Sequence, residues 1–417
     1  MAKKQVLQGL KIADFTWVIV GPAITAELAA FGAQVVHVEC HRYPETNRVV
    51  GPFKDNKVTI DSSGYFTLLQ HSKYGISLDL SKPKGQEIGR KLVKWADLVC
   101  ENMIPGTMAK WGLDYESCKK LKEDIIYFSI CQFGQKGPLA RFAGYGQIGA
   151  AYGGFSYVLG QPDQPPPQVH NNYPDFISPP YMISALLAAL LHRRKTGKGA
   201  HIDAAQVEVG TTFLEPAIMD YVVNGRMASR LGNRDPYMAP HGVYPCRGHD
   251  RWLAIAVSNE EEWQAFVRAI GEPDWCQEPK FCSVMSRKAN EDELDSWVAR
   301  WTSGYTPEQA MQLLQDAGVP AGIVATGEDL ANDPQLKCRE HYIFLEHKVI
   351  GRHAYLAPVY RLSKTPHHMW KAAHCLGEDN LYVYKEILGF SEDQISDLMA
   401  ESVITTEADL KAFRPYR

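Results

Sequence analysis

The chain has 417 residues, 44 basic against 48 acidic side chains, a formal net charge of −4 and 45% hydrophobic residues, an ordinary globular composition on a chain too long for one compact core. So even a balance excludes a broad electrostatic attraction for nucleic acid or an anionic membrane. Nine dispersed cysteines with no CxxC pair read as reduced thiols of a cytoplasmic protein, and with no apolar leader and no uncharged apolar run of roughly 18 residues, neither a signal peptide nor a membrane span is expected.

Residues 10–20 are β-rich, Gly21-Pro22 punctuates them, 23–31 reads as a helix of small residues, and 34–39 as the next strand. Strand, turn, helix, strand is a βαβ unit and implies a parallel sheet. The turn lacks GxGxxG, so NAD is not expected, yet a strand-to-helix turn is where an open α/β sheet binds a ligand. Residues 41–75, with Arg42, Arg48 and Gly64, read as a long loop. Strands at 76–80, 97–100 and 125–131 alternate with helices at 84–95 and 115–122.

The run 144–154 is rich in glycine, which permits close approach of backbone to a ligand or a helix; 161–168 is rich in proline and reads as a loop. After a helix discussed below, the turn 195–199 leads into Ala200-His-Ile-Asp203 and a long apolar helix at about 204–223. Near Gly225 the texture changes. A smaller α/β domain is expected at 226–340, with 1–225 as the larger domain and 341–417 returning to it. The histidines His170, His192, His201 and His241 lack metal-ligand spacing, so no metal is expected.

Residues 173–191 carry the lone carboxylate Asp175 just ahead of a segment that is apolar nearly all round. Ser178 fits an N-cap, Pro179 and Pro180 a first helical turn, and Arg193, Arg194 and Lys195 a helix end before Gly197. A helix without a polar face is expected to be buried, and its positive end to favour an ionised Asp175. On spacing alone Asp175 is either a helix-start acid or a fixed carboxylate of the kind covalent catalysis uses.

Several segments in order resemble the class III CoA-transferase family, the group of the carnitine, formate/oxalate and benzylsuccinate CoA-transferases and α-methylacyl-CoA racemase. They are Gly21-Pro22, Phe31-Gly-Ala-Gln-Val-Val-His-Val-Glu39, Ser77-Leu-Asp-Leu80, Glu101-Asn102, Pro105-Gly106, Gly112-Leu113, Phe133-Gly134, Gly137-Pro138, Asp175, Lys195-Thr-Gly-Lys-Gly199 and Ile202-Asp203. The resemblance implies a Rossmann-like large domain with a small α/β domain, and two chains interlocked like links. It places the nucleophile on Asp175. Coenzyme A, as substrate, would lie near Val18, Leu78, Asn102 and Met103. Lys110 stands where the family has an arginine, keeping the charge without the planar fork. Arg42 and Arg48 are further phosphate candidates or solvated surface residues. Ile19, Tyr145 and Gln147 would line the acid pocket.

The implied chemistry needs neither metal nor NAD. Asp175 would attack a succinyl-CoA-like donor, hold the acyl group as an anhydride and then CoA as a thioester, and pass CoA to an acceptor carboxylate. A racemase needs a second proton-transfer group; its Ala-Gly-His-Asp run is here Ala143-Gly144-Tyr145-Gly146. Ile19, where the formate/oxalate branch has Gln, argues against formyl or oxalyl substrates. Asn171, Asn172 and Tyr173 beside the site suggest a polar acid or only loop polarity. A homodimer and a heteromer with a homologous chain both remain open.

Overall fold

A computed structural model describes residues 5–142, 144–167, 173–405 and 409–410; Ala143, His170, Asn171 and Asn172 lie outside the described residues. The chain forms two compact units, one of Met1–Phe155, Gln168–Val222 and Leu336–Arg417, the other of Ser156–Pro167 and Val223–Gln335. The proline-rich run assigned above to the larger domain thus groups with the second unit, where Gly232 N–H donates to Gly160 O at 2.9 Å.

The first unit is built on a parallel sheet of β1 (Lys11–Phe15), β2 (Gln34–Glu39), β3 (Tyr74–Ser77), β4 (Leu98–Glu101), β5 (Ile126–Cys131) and β6 (Ala200–Ala205). Their order is β3-β2-β1-β4-β5-β6, the doubly wound arrangement in which strand order reverses between β1 and β4. Both faces are covered, so the strands are apolar on both sides. Ile12, Leu98, Ile126 and Phe128 pack on one face with Ile24, Leu28 and Leu186, while Ala13, Val36, Ile76 and Val99 pack on the other with Ile88 and Leu92.

Three elements differ from their sequence reading. First, β1 ends at Phe15, and Gly21 and Pro22 already lie in the first turn of the helix Val20–Ala30, where proline's missing N–H is harmless. Thr16 breaks the strand by folding back on Asp14, its N–H and hydroxyl both donating to Oδ1. Second, the apolar run after β6 divides into Gln206–Phe213 and Glu215–Asn224, because Pro216 fits only a helix start. Third, the helix that carries Asp175 runs from Tyr173 to Thr196, with Pro179 and Pro180 inside it. Those prolines leave the carbonyls of Asp175 and Phe176 without their helical donors. Ser178 is no N-cap; its hydroxyl donates to Pro174 O at 2.6 Å.

That helix is not buried all round. Pro174, Asp175, Ser178, Met182, Leu186 and Ala189 form one buried stripe, while Phe176, Tyr181, Leu187 and Leu191 are exposed on the single chain. It is long and apolar enough to cross a membrane by length and composition alone. Its stripe packs instead against the sheet, with Met182, Leu186 and Ala189 among the strand residues of one core.

β3 is an edge strand, and such edges invite pairing by other chains. Here the C-terminal segment occupies the edge with side chains. Gly75 N–H donates to Asp379 Oδ2 at 2.8 Å and Ser77 N–H to Asn380 Oδ1 at 2.9 Å, while Tyr384 Oη donates to Ser77 O at 2.8 Å. The second unit has an antiparallel sheet of His241–Pro245, Trp252–Ala256 and Ala321–Ile323, packed under helices around Trp263, Phe266, Phe281, Leu294 and Leu314. Thr306 caps the helix Pro307–Asp316 with Pro307 at its first position, as Thr-Pro-Glu-Gln dictates.

Arg48 is a correction to the phosphate candidates. It is fully buried. Its Nε and Nη2 hold Glu39 as a fork at 2.7 Å each, its Nη1 reaches Asp61 at 2.6 Å and Ile60 O at 3.1 Å, and Phe66 stacks on the guanidinium. No donor is left for a ligand. Removing one partner of such a pair leaves an uncompensated buried charge, so Arg48→Leu should lose about 3–5 kcal/mol of stability. Urea unfolding reads this directly, and an unchanged midpoint would contradict the assignment.

Candidate active site

A cavity of about 300 Å³ opens at the carboxyl ends of β1, β4 and β5, beside the place where strand order reverses and where open α/β sheets bind ligands. Val18, Ile19 and Val20 come from the turn after β1, Asn102, Ile104 and Pro105 follow β4, and Ile130, Cys131, Gln132 and Phe133 end β5. Ala140, Phe142, Gly144, Tyr145 and Gly146 close one side, and Asp175 and Gln206 stand at the wall. The lining is largely apolar, so a charge inside meets little water.

The turn after β1 is held from outside. Val18, a β-branched residue, has φ = 71°, a conformation disfavoured for such a side chain and found where surroundings enforce it. Its N–H donates to Glu45 Oε1 at 2.9 Å, and its carbonyl accepts from Asn47 Nδ2. The preceding Trp17 gives its N–H to Asn102 Oδ1 at 2.8 Å and takes Asn102 Nδ2 on its carbonyl at 2.6 Å. Three side chains thus satisfy four backbone groups of two residues. Burial, with Glu39 nearby, pushes the Glu45 carboxyl well above its usual range, and its other oxygen accepts from Gln70 Nε2 at 3.0 Å.

Asp175 lies in the first turn of its helix, on the same stripe as Met182 and Leu186, so the apolar periodicity that buries the helix also buries the carboxylate. It is 6% exposed. Among the described residues Gln206 is its one hydrogen-bond partner, Nε2 donating to Oδ1, and no cation pairs with it. Burial raises its pKa from the ordinary 3.8 to about 6, against the opposing Gln206 bond. The expectation that the helix end would favour the ionised form is therefore corrected. A dipole contributes roughly 0.3–1 kcal/mol, whereas this rise corresponds to roughly 3 kcal/mol favouring the neutral acid. At pH 7 the group is still mostly charged, a carboxylate with little solvation and hence enhanced nucleophilicity.

Of the other residues singled out in the sequence, Val18, Ile19, Asn102 and Tyr145 line this cavity. Gln147 is exposed and does not line it. Leu78 is buried in the core and Met103 packs on that core, so neither offers a free side chain. Arg42 is exposed and 3.5 Å from Asp79, and Lys110 is exposed at the end of Thr107–Lys110. Gln206 and Gln132 were missed. Their only signal is position, since each follows directly on the carboxyl end of a strand.

Two other places were tested for chemistry. His37, Glu39 and His374 are close enough to hold a metal ion, but His37 Nδ1 and His374 Nε2 bond each other at 3.1 Å and Glu39 is engaged by Arg48. These contacts read as a satisfied polar core. A larger, open hollow of about 750 Å³ lies in the second unit. Its Arg234 is paired with Asp292 and Asp295, and its His241 is engaged through Nδ1 by Asn233 O at 2.8 Å.

Because folding raises the Asp175 pKa, its contribution to stability is present below pH 3.8 and is lost as pH climbs through about 6. Asp175→Asn removes that loss. The variant should match the wild type near pH 4 and exceed it above pH 6 by up to roughly 3 kcal/mol. Denaturation at the two pH values is the check, and equal stability at both would show that the carboxylate is well solvated.

With this geometry in place, comparison with known proteins is informative. The model of CoA-transferase family III matches residues 7–380. The chain is 30% identical over 398 residues to the succinyl-CoA–D-citramalate CoA-transferase of Chloroflexus aurantiacus, covering 95% of this chain and 98% of that one. It is 31% identical over 391 residues to the succinate–glutarate CoA-transferase of Agrobacterium fabrum, covering 92% and 96%. A CAIB/BAIF family protein from Brucella suis superposes with a TM-score of 0.84 at 29% identity, over 92% of this chain and all of that one. The match along nearly the whole length, on a fold whose strand-order reversal carries the buried Asp175, makes this chain a member of CoA-transferase family III.

Proposed function

We propose that this CoA-transferase moves CoA from a succinyl-CoA-like donor to a carboxylic acid through two covalent states of Asp175. The observation that carries the reading is the Asp175 carboxylate, buried on the wall of an apolar cavity with no cation paired to it among the described residues. Its oxygen attacks the thioester carbonyl; the carbon–sulfur bond breaks and CoA leaves as thiolate, giving an aspartyl anhydride. The thiolate attacks the aspartyl carbonyl, releasing the donor acid and leaving an aspartyl-CoA thioester. The acceptor carboxylate then repeats both steps in reverse. A thiol with a pKa near 8.5 makes the thiolate a good leaving group. The apolar walls Ile19, Ile104, Ile130 and Phe142 keep out the water that would hydrolyse either state.

Racemisation needs a second group able to exchange a proton near neutral pH. Of the lining residues only Cys131 and Tyr145 could join Asp175, and burial pushes the Cys131 thiol up to about 11. For the CoA phosphates Arg42 and Lys110 are the exposed cations we assign, and Val18 and Asn102 would bound the pantetheine. A cytoplasmic setting agrees with nine free cysteines.

The decisive test is trapping. Incubation with succinyl-CoA followed by borohydride or hydroxylamine should modify Asp175 alone, seen by peptide mass, and Asp175→Ala should abolish both label and transfer. Label on another residue, or transfer surviving in the variant, would refute the mechanism.

The exposed apolar side chains Phe176, Tyr181, Leu187, Leu191, Phe213, Ile218 and Tyr221 support a second copy of this chain as partner, since isolated soluble chains rarely expose so much apolar surface. Light scattering on the purified protein should give twice the chain mass of 46.7 kDa. A monomer, or co-purification with a different homologous chain, would refute the homodimer. The second outcome has a parallel in the malate enzyme of Chloroflexus aurantiacus, whose 27% identical relative is named a beta subunit.

A further inference from the structure

Gln132 is a polar side chain of the cavity that the transfer chemistry leaves unused. It follows β5 directly, and its carbonyl is fixed by Val207 N–H at 3.0 Å. The residue is 9% exposed and lines the same cavity as Asp175. Gly144 leaves room for the carboxamide, since a Cβ there would lie 3.1 Å from Oε1, and Gly149 lies alongside it. Yet Oε1 is buried and has no hydrogen-bond partner among the described residues. A buried amide oxygen without a donor is disfavoured in a folded protein, and an acceptor held in a ligand cavity is where a ligand donor is recognised.

Neither the reacting carboxylate nor the thioester carbonyl can fill that need, because both only accept. An alcohol can donate. Resting on the transfer reaction proposed above, we infer that Gln132 Oε1 accepts a hydrogen bond from a hydroxyl group of the acid, so that the cavity selects hydroxy acids over their deoxy counterparts. Gln132 is then a specificity-determining residue, while Asp175 performs the covalent steps on either class. The selectivity follows from the asymmetry of buried hydrogen bonds: the deoxy acid leaves Oε1 unpaired in the closed complex, whereas the hydroxy acid satisfies it.

The test uses the full-length protein with succinyl-CoA as donor and two matched pairs of acceptors, 2-hydroxyglutarate against glutarate and 3-hydroxybutyrate against butyrate. CoA products are read by mass. The wild type should favour the hydroxy acid of at least one pair by roughly tenfold or more in kcat/KM, and in Gln132→Leu that ratio should fall to about one. Gln132→Met, closer in shape, serves as a second variant should the first fail to fold. No preference in the wild type, or a preference retained in both variants, overturns the assignment. So does a loss that is equal for all acids and appears as a raised KM for succinyl-CoA, which would set the amide against a pantetheine N–H. Absence of transfer to every acid would overturn the transfer reaction itself, whereas transfer without selectivity would overturn the role of Gln132 alone.

Discussion

The site depends on a carboxylate from which water has been withdrawn and to which no cation has been given. An ion pair would lower the Asp175 pKa and spread its charge; full hydration would blunt its reactivity. Burial with the single amide of Gln206 does neither. The group stays charged near neutrality yet poorly solvated, and the fold bears the energetic burden of holding it there, as functional sites commonly do.

The opposite wall shows the same division between strain and support. Val18 adopts a backbone conformation that its side chain disfavours, and Glu45, Asn47 and Asn102 satisfy the turn's polar groups. Glu45 belongs to a fully buried set with Glu39, His37, Arg48 and Lys73, so the sheet core and the cavity share one polar network. Asn102, expected beside CoA, does line the cavity, but its carboxamide is engaged in shaping the turn.

Much of this was legible in the sequence where periodicity and turn chemistry agree. The β2 strand, the helix from Pro83 to Trp95 and the capped helix after Thr306 all follow from pattern. The α/β class was legible too, as was the apolar helix near Asp175, although the acid lies inside its first turn rather than ahead of it. What pattern could not supply were the long-range consequences. Arg48 looks like any loop arginine until Glu39 and Asp61 close around it. Ser178 and the two prolines mimic a helix start because the same residues suit an N-terminus and a helix interrupted near its beginning. The helix reads as apolar all round but shows the single chain only one buried stripe, since a sequence does not say which apolar face meets its own core. Gln132 and Gln206 carry no signal beyond their place after a strand, as strands 74 residues apart in register bring them to one cavity.

The covering of β3 by Asp379, Asn380 and Tyr384 also bears on how the protein is made. Strands β1 to β6 leave the ribosome long before these residues do, so during synthesis the sheet exists with one side open and its hydrogen-bonding groups unclaimed. For that interval the nascent chain is a template for stray strands. A chain truncated before residue 379 would remain in that condition permanently, with the buried carboxylate of Asp175 already in place on a sheet that was never closed.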